Sequence, residues 1–174
     1  MIDFRRWMRL SAVLLSLLVA AHAGASATAQ ERTVILTGAE LARIVPPGFY
    51  FEGQSAPTQM RNSAAARFGA KRHVVAGMVD TSGYSADVRA KYEGFFITDS
   101  PISVGDAQLE PGAYGFGFTD DSKLNIFDVG GRQVLSVNTV SDRVIRRPRP
   151  LMMTIARDGL RLYSGRSYAV IAAR

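Results

Sequence analysis
The sequence predicts an all-β protein: a single β-sandwich or flattened barrel of about eight to ten short antiparallel strands with one short N-terminal helix. Three observations carry that expectation. Turn signals, among them Gly105-Asp106, Pro111-Gly112, Gly130-Gly131 and Asp158-Gly159, recur about every 8–12 residues. The runs between them are short and rich in strand formers, and the clearest alternates: Tyr114, Phe116 and Phe118 share one face, Ala113, Gly115 and Gly117 the other. Only one stretch after the N-terminal segment, beginning at Thr37, carries a clear helix start.

The first residues read as a targeting segment rather than as fold. Arg5, Arg6 and Arg9 form a basic region, Leu10–Ala21 an apolar run too short to span a bilayer comfortably, and small residues follow. Ala21-His22-Ala23, Ala25-Ser26-Ala27 and Ala27-Thr28-Ala29 each offer a cleavage pattern, and the last is favoured. The Arg5-Arg6 pair suggests a twin-arginine signal, but Phe4, Trp7 and Met8 fit that pattern poorly, so the general export route is expected. Residues 1–29 are then a signal peptide and residues 30–174 a single all-β domain, periplasmic or secreted, with no transmembrane span after cleavage. With no cysteine, the chain has no disulfide, no thiolate metal site and no lipidated cysteine. That usage suits a bacterial envelope better than eukaryotic secretion.

The mature chain has 174 − 29 = 145 residues, enough to bury roughly two thirds of its unfolded surface without covalent staples. The leader holds three of 21 basic residues and one of 15 acidic ones, which leaves 18 against 14, a net charge of +4. That excess is mild, no nucleic-acid motif accompanies it, and no nucleic-acid partner is expected.

In chain order, Thr37-Gly38-Ala39-Glu40 is a capping box, with Leu36 and Leu41 spaced as a hydrophobic staple, and it predicts a helix from Gly38 to Ile44 stopped by Pro46-Pro47. Gly48 opens a strand through Phe51. Ser55–Asn62 is polar and loop-like. Ala64–Phe68 and His73–Val79 read as a hairpin about Gly69–Arg72, followed by a turn-rich loop over residues 80–85. Charges at Asp87, Arg89, Lys91 and Glu93 alternate with Val88, Ala90, Tyr92 and Gly94, which predicts a strand running on into Phe95-Phe96-Ile97. A helix capped by Ser85 is the rival, because Asp87/Lys91 and Arg89/Glu93 are also i,i+4 pairs. Ile102–Val104, Leu124–Val129, Gln133–Val137, Leu151–Ala156, Leu160–Tyr163 and Ser167–Ala172 complete the strands, and Asp158-Gly159 is the strongest hairpin signal.

The segment Gly105-Asp-Ala-Gln-Leu109-Glu-Pro-Gly112-Ala-Tyr114 resembles a hairpin found in uncharacterised exported bacterial β-sandwich proteins. Its L-x-P-G-x-Y turn is similar to one in transthyretin-like and carboxypeptidase-regulatory-like modules. The wider run from Met60 to Tyr168, with its DTSGY, PGAYGFGF and RPRPL segments, resembles the same exported proteins. The resemblance implies a β-sandwich and export. It implies no catalytic residue.

Catalytic constellations are hard to assemble. After cleavage His73 is the one remaining histidine, too few for a His-rich zinc site. Gly165-Arg166-Ser167-Tyr168-Ala169 approaches a nucleophile elbow, but no helix is expected after it and no chain remains for the acid and base. Glu52, Asp80, Glu93 and Glu110 could serve a hydrolase, yet no spacing selects a pair. Asp120-Asp121 and Asp128 lack a calcium-loop register. No catalytic residue, metal ligand or cofactor is therefore expected. Two features could bind. Arg143, Arg146, Arg147 and Arg149 crowd one loop beside Pro148 and Pro150, a candidate anion site. The glycine face of Gly115 and Gly117, beside Tyr114, permits close approach to the backbone and is a candidate ligand face. The expected function is an exported, non-catalytic binding or structural module whose partner is an envelope glycan, lipid or protein. A periplasmic carrier of a small apolar or anionic ligand and a carboxylate-dependent hydrolase are the alternatives.

Overall fold
The computed structural model describes residues 32–174, and the leader expected over residues 1–29 lies outside them. In chain order the elements are β1 (Thr33–Leu36), α1 (Gly38–Ile44), β2 (Gly48–Phe51), β3 (Gln54–Phe68), β4 (Arg72–Val79), a 3₁₀ turn (Thr81–Gly83) and α2 (Ala86–Lys91). Then follow β5 (Gly94–Thr98), β6 (Ile102–Val104), β7 (Ala107–Leu109), β8 (Gly112–Phe118), β9 (Lys123–Phe127) and β10 (Gln133–Asn138). β11 (Val140–Ser141), β12 (Arg149–Ala156), β13 (Gly159–Gly165) and β14 (Ser167–Ala173) close the chain. The strands form two antiparallel sheets, an all-β sandwich as expected. The larger is ordered β1-β3-β4-β5-β8-β9-β10 with β2 beside β3, the smaller β12-β13-β14-β6-β7 with β11 against β14. No helix among the described residues is long and apolar enough to cross a membrane.

The fourteen strands among the described residues exceed the eight to ten expected. Part of the surplus comes from splitting short stretches. Part comes from Ser55–Asn62, which is not a loop but the first half of β3, paired with β2 from Phe51↔Gln54 to Gly48↔Pro57. This half looks polar because its flanks meet solvent and Ala56 alone is buried. The anticipated hairpins are present, with Gly69, Gly105 and Gly159 at positive φ where their turns demand it.

The two sheets face one another across a filled core. Phe96, Phe116, Leu124 and Ile126 from the larger sheet meet Ile102, Leu151, Leu160, Leu162 and Ile171 from the smaller. The larger sheet is buried on its back as well. There Phe51, Phe95 and Val75 pack with Tyr84, Val88 and Tyr92, and Leu36 and Val45 join them beside α1. Burial on both faces explains why Val74–Gly77 and Gly94–Phe96 are buried without alternation, as in any sheet covered on both sides.

That second layer corrects the reading of residues 87–94. Residues 87–91 lie in α2 after Ser85, not in a strand, and the strand begins only at Gly94. Val88 and Tyr92, four residues apart, are the two side chains buried, while Ala90, which a strand would have turned inward with them, is exposed. Charges on alternate positions fit an i,i+2 and an i,i+4 pattern equally. What decides is a layer behind the sheet for Val88 and Tyr92 to enter.

Two irregularities shape one flank. Opposite β4, β3 pairs Thr58 with Val79 and then Ser63 with Gly77, so Gln59–Asn62 stand against Met78 alone. This wide bulge is hydrogen-bonded to itself and its neighbour: Gln59 Nε2 donates to the Val79 carbonyl (3.0 Å), Asn62 Nδ2 to Gln59 Oε1 (2.8 Å) and Ser63 Oγ to the Gln59 carbonyl (3.2 Å). On β12, Pro150 and Leu151 lie between the pairs Arg149↔Gly165 and Met152↔Tyr163, one residue more than the partner strand has. β12 packs against β1 and β3, so the two bulges face a common seam between the sheets.

Candidate functional site
The loop between β11 and β12 carries the arginine cluster. Its base is fixed by Asp142, whose Oδ1 accepts the Val144 amide (2.9 Å) and whose Oδ2 accepts the Tyr163 hydroxyl (2.9 Å). These bonds, the Val144 amide first, hold the Asp142 carboxyl below the usual carboxylate range. The Asp142 amide donates to the Arg166 carbonyl (2.8 Å), and Arg166 Nη1 donates back to the Ile145 carbonyl (2.6 Å). From this anchored base Val144 projects with 86% of its surface exposed. Arg143, Arg146 and Arg147 around it are exposed, and among the described residues they have no ion pair. Arg149 turns away toward the seam, where its Nη2 donates to the Arg61 carbonyl (3.2 Å). The four arginines are thus divided: three crown an apolar tip and one joins a second feature.

That feature is a cleft of about 290 Å³ along the seam. One wall is Ile35, Leu36 and Leu41; the others are Met60 and Arg61 from the β3 bulge and Arg149, Met152 and Met153 from β12. Sequence reasoning found Arg149 and missed the rest. The sequence places Met60 and Arg61 in a polar, loop-like stretch, and no local pattern announces two bulges that meet across a seam. The Met152-Met153 doublet was the one visible hint.

The glycine face is occupied by the chain itself. A Cβ at Gly115 would sit 2.5 Å from the Phe51 ring and 2.7 Å from that of Tyr92, and one at Gly117 would sit 2.5 Å from the Lys91 carbonyl oxygen. What approaches the backbone there is the second layer. Tyr114 lies on the opposite face, packed against the core between the sheets. Its hydroxyl donates to the Glu110 carbonyl (3.0 Å), and its ring covers Gly112, where a Cβ would meet it at 2.8 Å. The Pro-Gly-x-Tyr turn is thus closed by its own tyrosine, a tyrosine-corner arrangement.

The carboxylates are engaged separately. Glu52 Oε1 accepts from Lys91 Nζ (3.3 Å) at the β2–β3 turn, where Glu52 itself has φ +46°. Asp80 Oδ1 accepts the Ser82 amide (3.0 Å) and caps the 3₁₀ turn. Glu93 accepts the Phe118 amide (3.3 Å); burial raises its carboxyl above the usual range, and that bond partly offsets the effect. Glu110 is exposed. Asp128 binds Gly130, Arg132 and its guanidinium, closing the β9–β10 turn. Asp121 pairs with Lys123 (2.9 Å), and Asp120 is exposed. His73 is bracketed by Asp99, which accepts its amide (2.7 Å) and faces its Nδ1 (3.0 Å). Ser167 opens β14 directly after the β13 hairpin, with strand and not helix beyond it. Among the described residues, no three histidine or acidic side chains converge to hold a metal ion.

The chain matches no protein-family model, no curated protein and no solved structure.

Proposed function
We propose that the protein is an exported, non-catalytic binding module of the bacterial envelope. In this reading it docks on anionic lipid headgroups through the loop from Arg143 to Arg149. The leader pattern of residues 1–29 supports export. The observation that carries the docking reading is Val144, 86% exposed at the tip of a loop crowned by Arg143, Arg146 and Arg147. An apolar tip gains by entering the boundary between headgroup and acyl chain. Guanidinium groups bind phosphate bidentately at that level. A purely polar glycan would use the arginines and leave the valine idle. The base held by Asp142, Tyr163 and Arg166 keeps the tip presented, which lowers the ordering cost of docking.

At ~1 kcal/mol per arginine near an anionic surface, three arginines supply about 3 kcal/mol, so docking is weak and screened by salt. The test is cosedimentation of the full exported chain with vesicles. It should bind vesicles containing phosphatidylglycerol, ignore vesicles of phosphatidylcholine alone, and release as salt rises through ~0.15 M, where the Debye length is about 8 Å. Arg146→Gln with Arg147→Gln should weaken binding about tenfold or more, at ~1 kcal/mol per charge removed. Equal binding to neutral vesicles, or an unaffected double variant, contradicts the reading. Binding to an anionic polysaccharide but not to vesicles contradicts the lipid assignment.

A further inference from the structure
The geometry points to a second binding site in the seam cleft, for a single-chain amphiphile with an anionic head. The acyl chain lies along Met60, Met152 and Met153, and the head sits against Arg61 and Arg149. This goes beyond docking by the loop. The site differs, and its residues are others except Arg149, which ends the loop.

Three observations converge. First, the cleft is mixed and not filled: Ile35, Leu41 and Met60 line it beside the polar Thr37, Ser63, Arg61 and Arg149. Elsewhere the interface between the sheets is filled by buried side chains such as Leu160, Leu162 and Ile171, while about 290 Å³ stays open at the seam. Second, three of the lining residues are methionines, exposed Met60, half-buried Met152 and, at the core side, buried Met153, whose unbranched, polarisable thioethers adapt to a flexible chain better than branched residues do. Third, the polar part has one sign. Arg61 and Arg149 line the cleft with no acidic residue. Arg149 spends one N–H on the Arg61 carbonyl, and among the described residues the Arg61 guanidinium has neither ion pair nor hydrogen bond. Two guanidiniums lining one cleft repel each other, and an anion bound there relieves that repulsion. The two bulges make the arrangement. Without the extra residues of β3, Met60 and Arg61 would lie in a regular strand. Without that of β12, the flanking β12 side chains would exchange faces.

The size of the cleft limits the ligand. About 290 Å³ matches roughly ten waters at ~30 Å³ each, room for a medium-length chain and not for a diacyl lipid.

The experiment is methionine-methyl NMR on the full chain titrated with hexanoate, octanoate and decanoate below their micelle concentrations. The methyls of Met60, Met152 and Met153 should shift. That of Met78, which packs against the core between the sheets, should not. Affinity should rise about fourfold per added methylene until the cleft is full, the equivalent of ~0.8 kcal/mol each. Decyltrimethylammonium should bind far more weakly. Arg61→Gln should weaken decanoate about tenfold while leaving decanol unchanged, consistent with loss of one bond to a charged group. Arg61 is exposed, so this variant should fold. Arg146→Gln with Arg147→Gln should leave decanoate binding intact while reducing docking on vesicles, so either reading can fail alone. Stationary methyls at all three methionines, affinity independent of chain length, equal binding of the cation, or an unaffected Arg61→Gln variant would each overturn the inference. So would a Met78 shift as large as the others, since Met78 does not line the cleft.

Discussion
Replacing Tyr92 by alanine should lower the unfolding free energy by about 3–5 kcal/mol, whereas Tyr92→Phe should leave it unchanged or raise it slightly. Tyr92 is 1% exposed and is the keystone of the layer behind the larger sheet. Its ring stacks on Phe51 with centroids 4.0 Å apart and planes 3° from parallel, and it lies 5.7 Å from the Tyr84 ring. Truncation would open a void among rings too stiff to fill it, so a cost at the upper end for a large-to-small change is expected. The hydroxyl has the opposite sign. Neither the Tyr92 nor the Tyr84 hydroxyl has a well-formed hydrogen bond, although both are buried. Burial, then the neighbouring Tyr84, push the Tyr92 phenol far above its ordinary range. Removing a buried, poorly satisfied hydroxyl costs little and can stabilise. Urea unfolding followed by far-ultraviolet circular dichroism checks both variants. A loss on Tyr92→Phe as large as that on Tyr92→Ala would mean that the hydroxyl is well bonded.

The second large effect concerns the glycines beneath that layer. Gly117→Ala should cost about 1–3 kcal/mol, and Gly115→Val should exceed it. At Gly117 the added carbon meets a backbone carbonyl, that of Lys91 at 2.5 Å, so α2 itself must shift. At Gly115 it meets the stacked Phe51 and Tyr92 rings, which have no empty space to move into. Gly83→Ala is the control. Nothing lies within 4 Å of its added carbon, so the change should stay within ~0.5 kcal/mol. Thermal unfolding of the three variants reads this out. Equal midpoints would contradict close packing on the glycine face.

Much of the fold was legible because hairpins are local. Gly69, Gly105 and Gly159 stand where a turn needs positive φ, and strands on either side follow from alternation. The helix at Gly38–Ile44 is where the capping box placed it. Thr37 has the extended cap conformation but makes no side-chain cap bond, so the stapled pair of buried Leu36 and half-buried Leu41 carries more of the signal. What was not legible depends on distant partners. Asp87–Lys91 became a helix because a second core exists to receive Val88 and Tyr92. Ser55–Pro57 became strand because β2 supplies a mate whatever its polarity, and Gln59–Asn62 bulge against β4. The glycine face was correctly seen as a place of close approach, but sequence could not say that Phe51, Tyr92 and the Lys91 carbonyl make it. For the candidate site, the arginine loop was visible as composition. Its division into a crowned valine tip and a seam residue needed the anchors at Asp142 and Arg166 and the two bulges.

The most direct test of the envelope-docking account is methyl NMR of the full chain on phosphatidylglycerol vesicles doped with a paramagnetic headgroup lipid. The account predicts that the Val144 methyls, on the most exposed apolar side chain described, broaden most. Those of Val134 on β10, also exposed but on the far edge strand of the larger sheet, should stay sharp. Broadening centred on Val134, or spread evenly over the exposed valines, would contradict it.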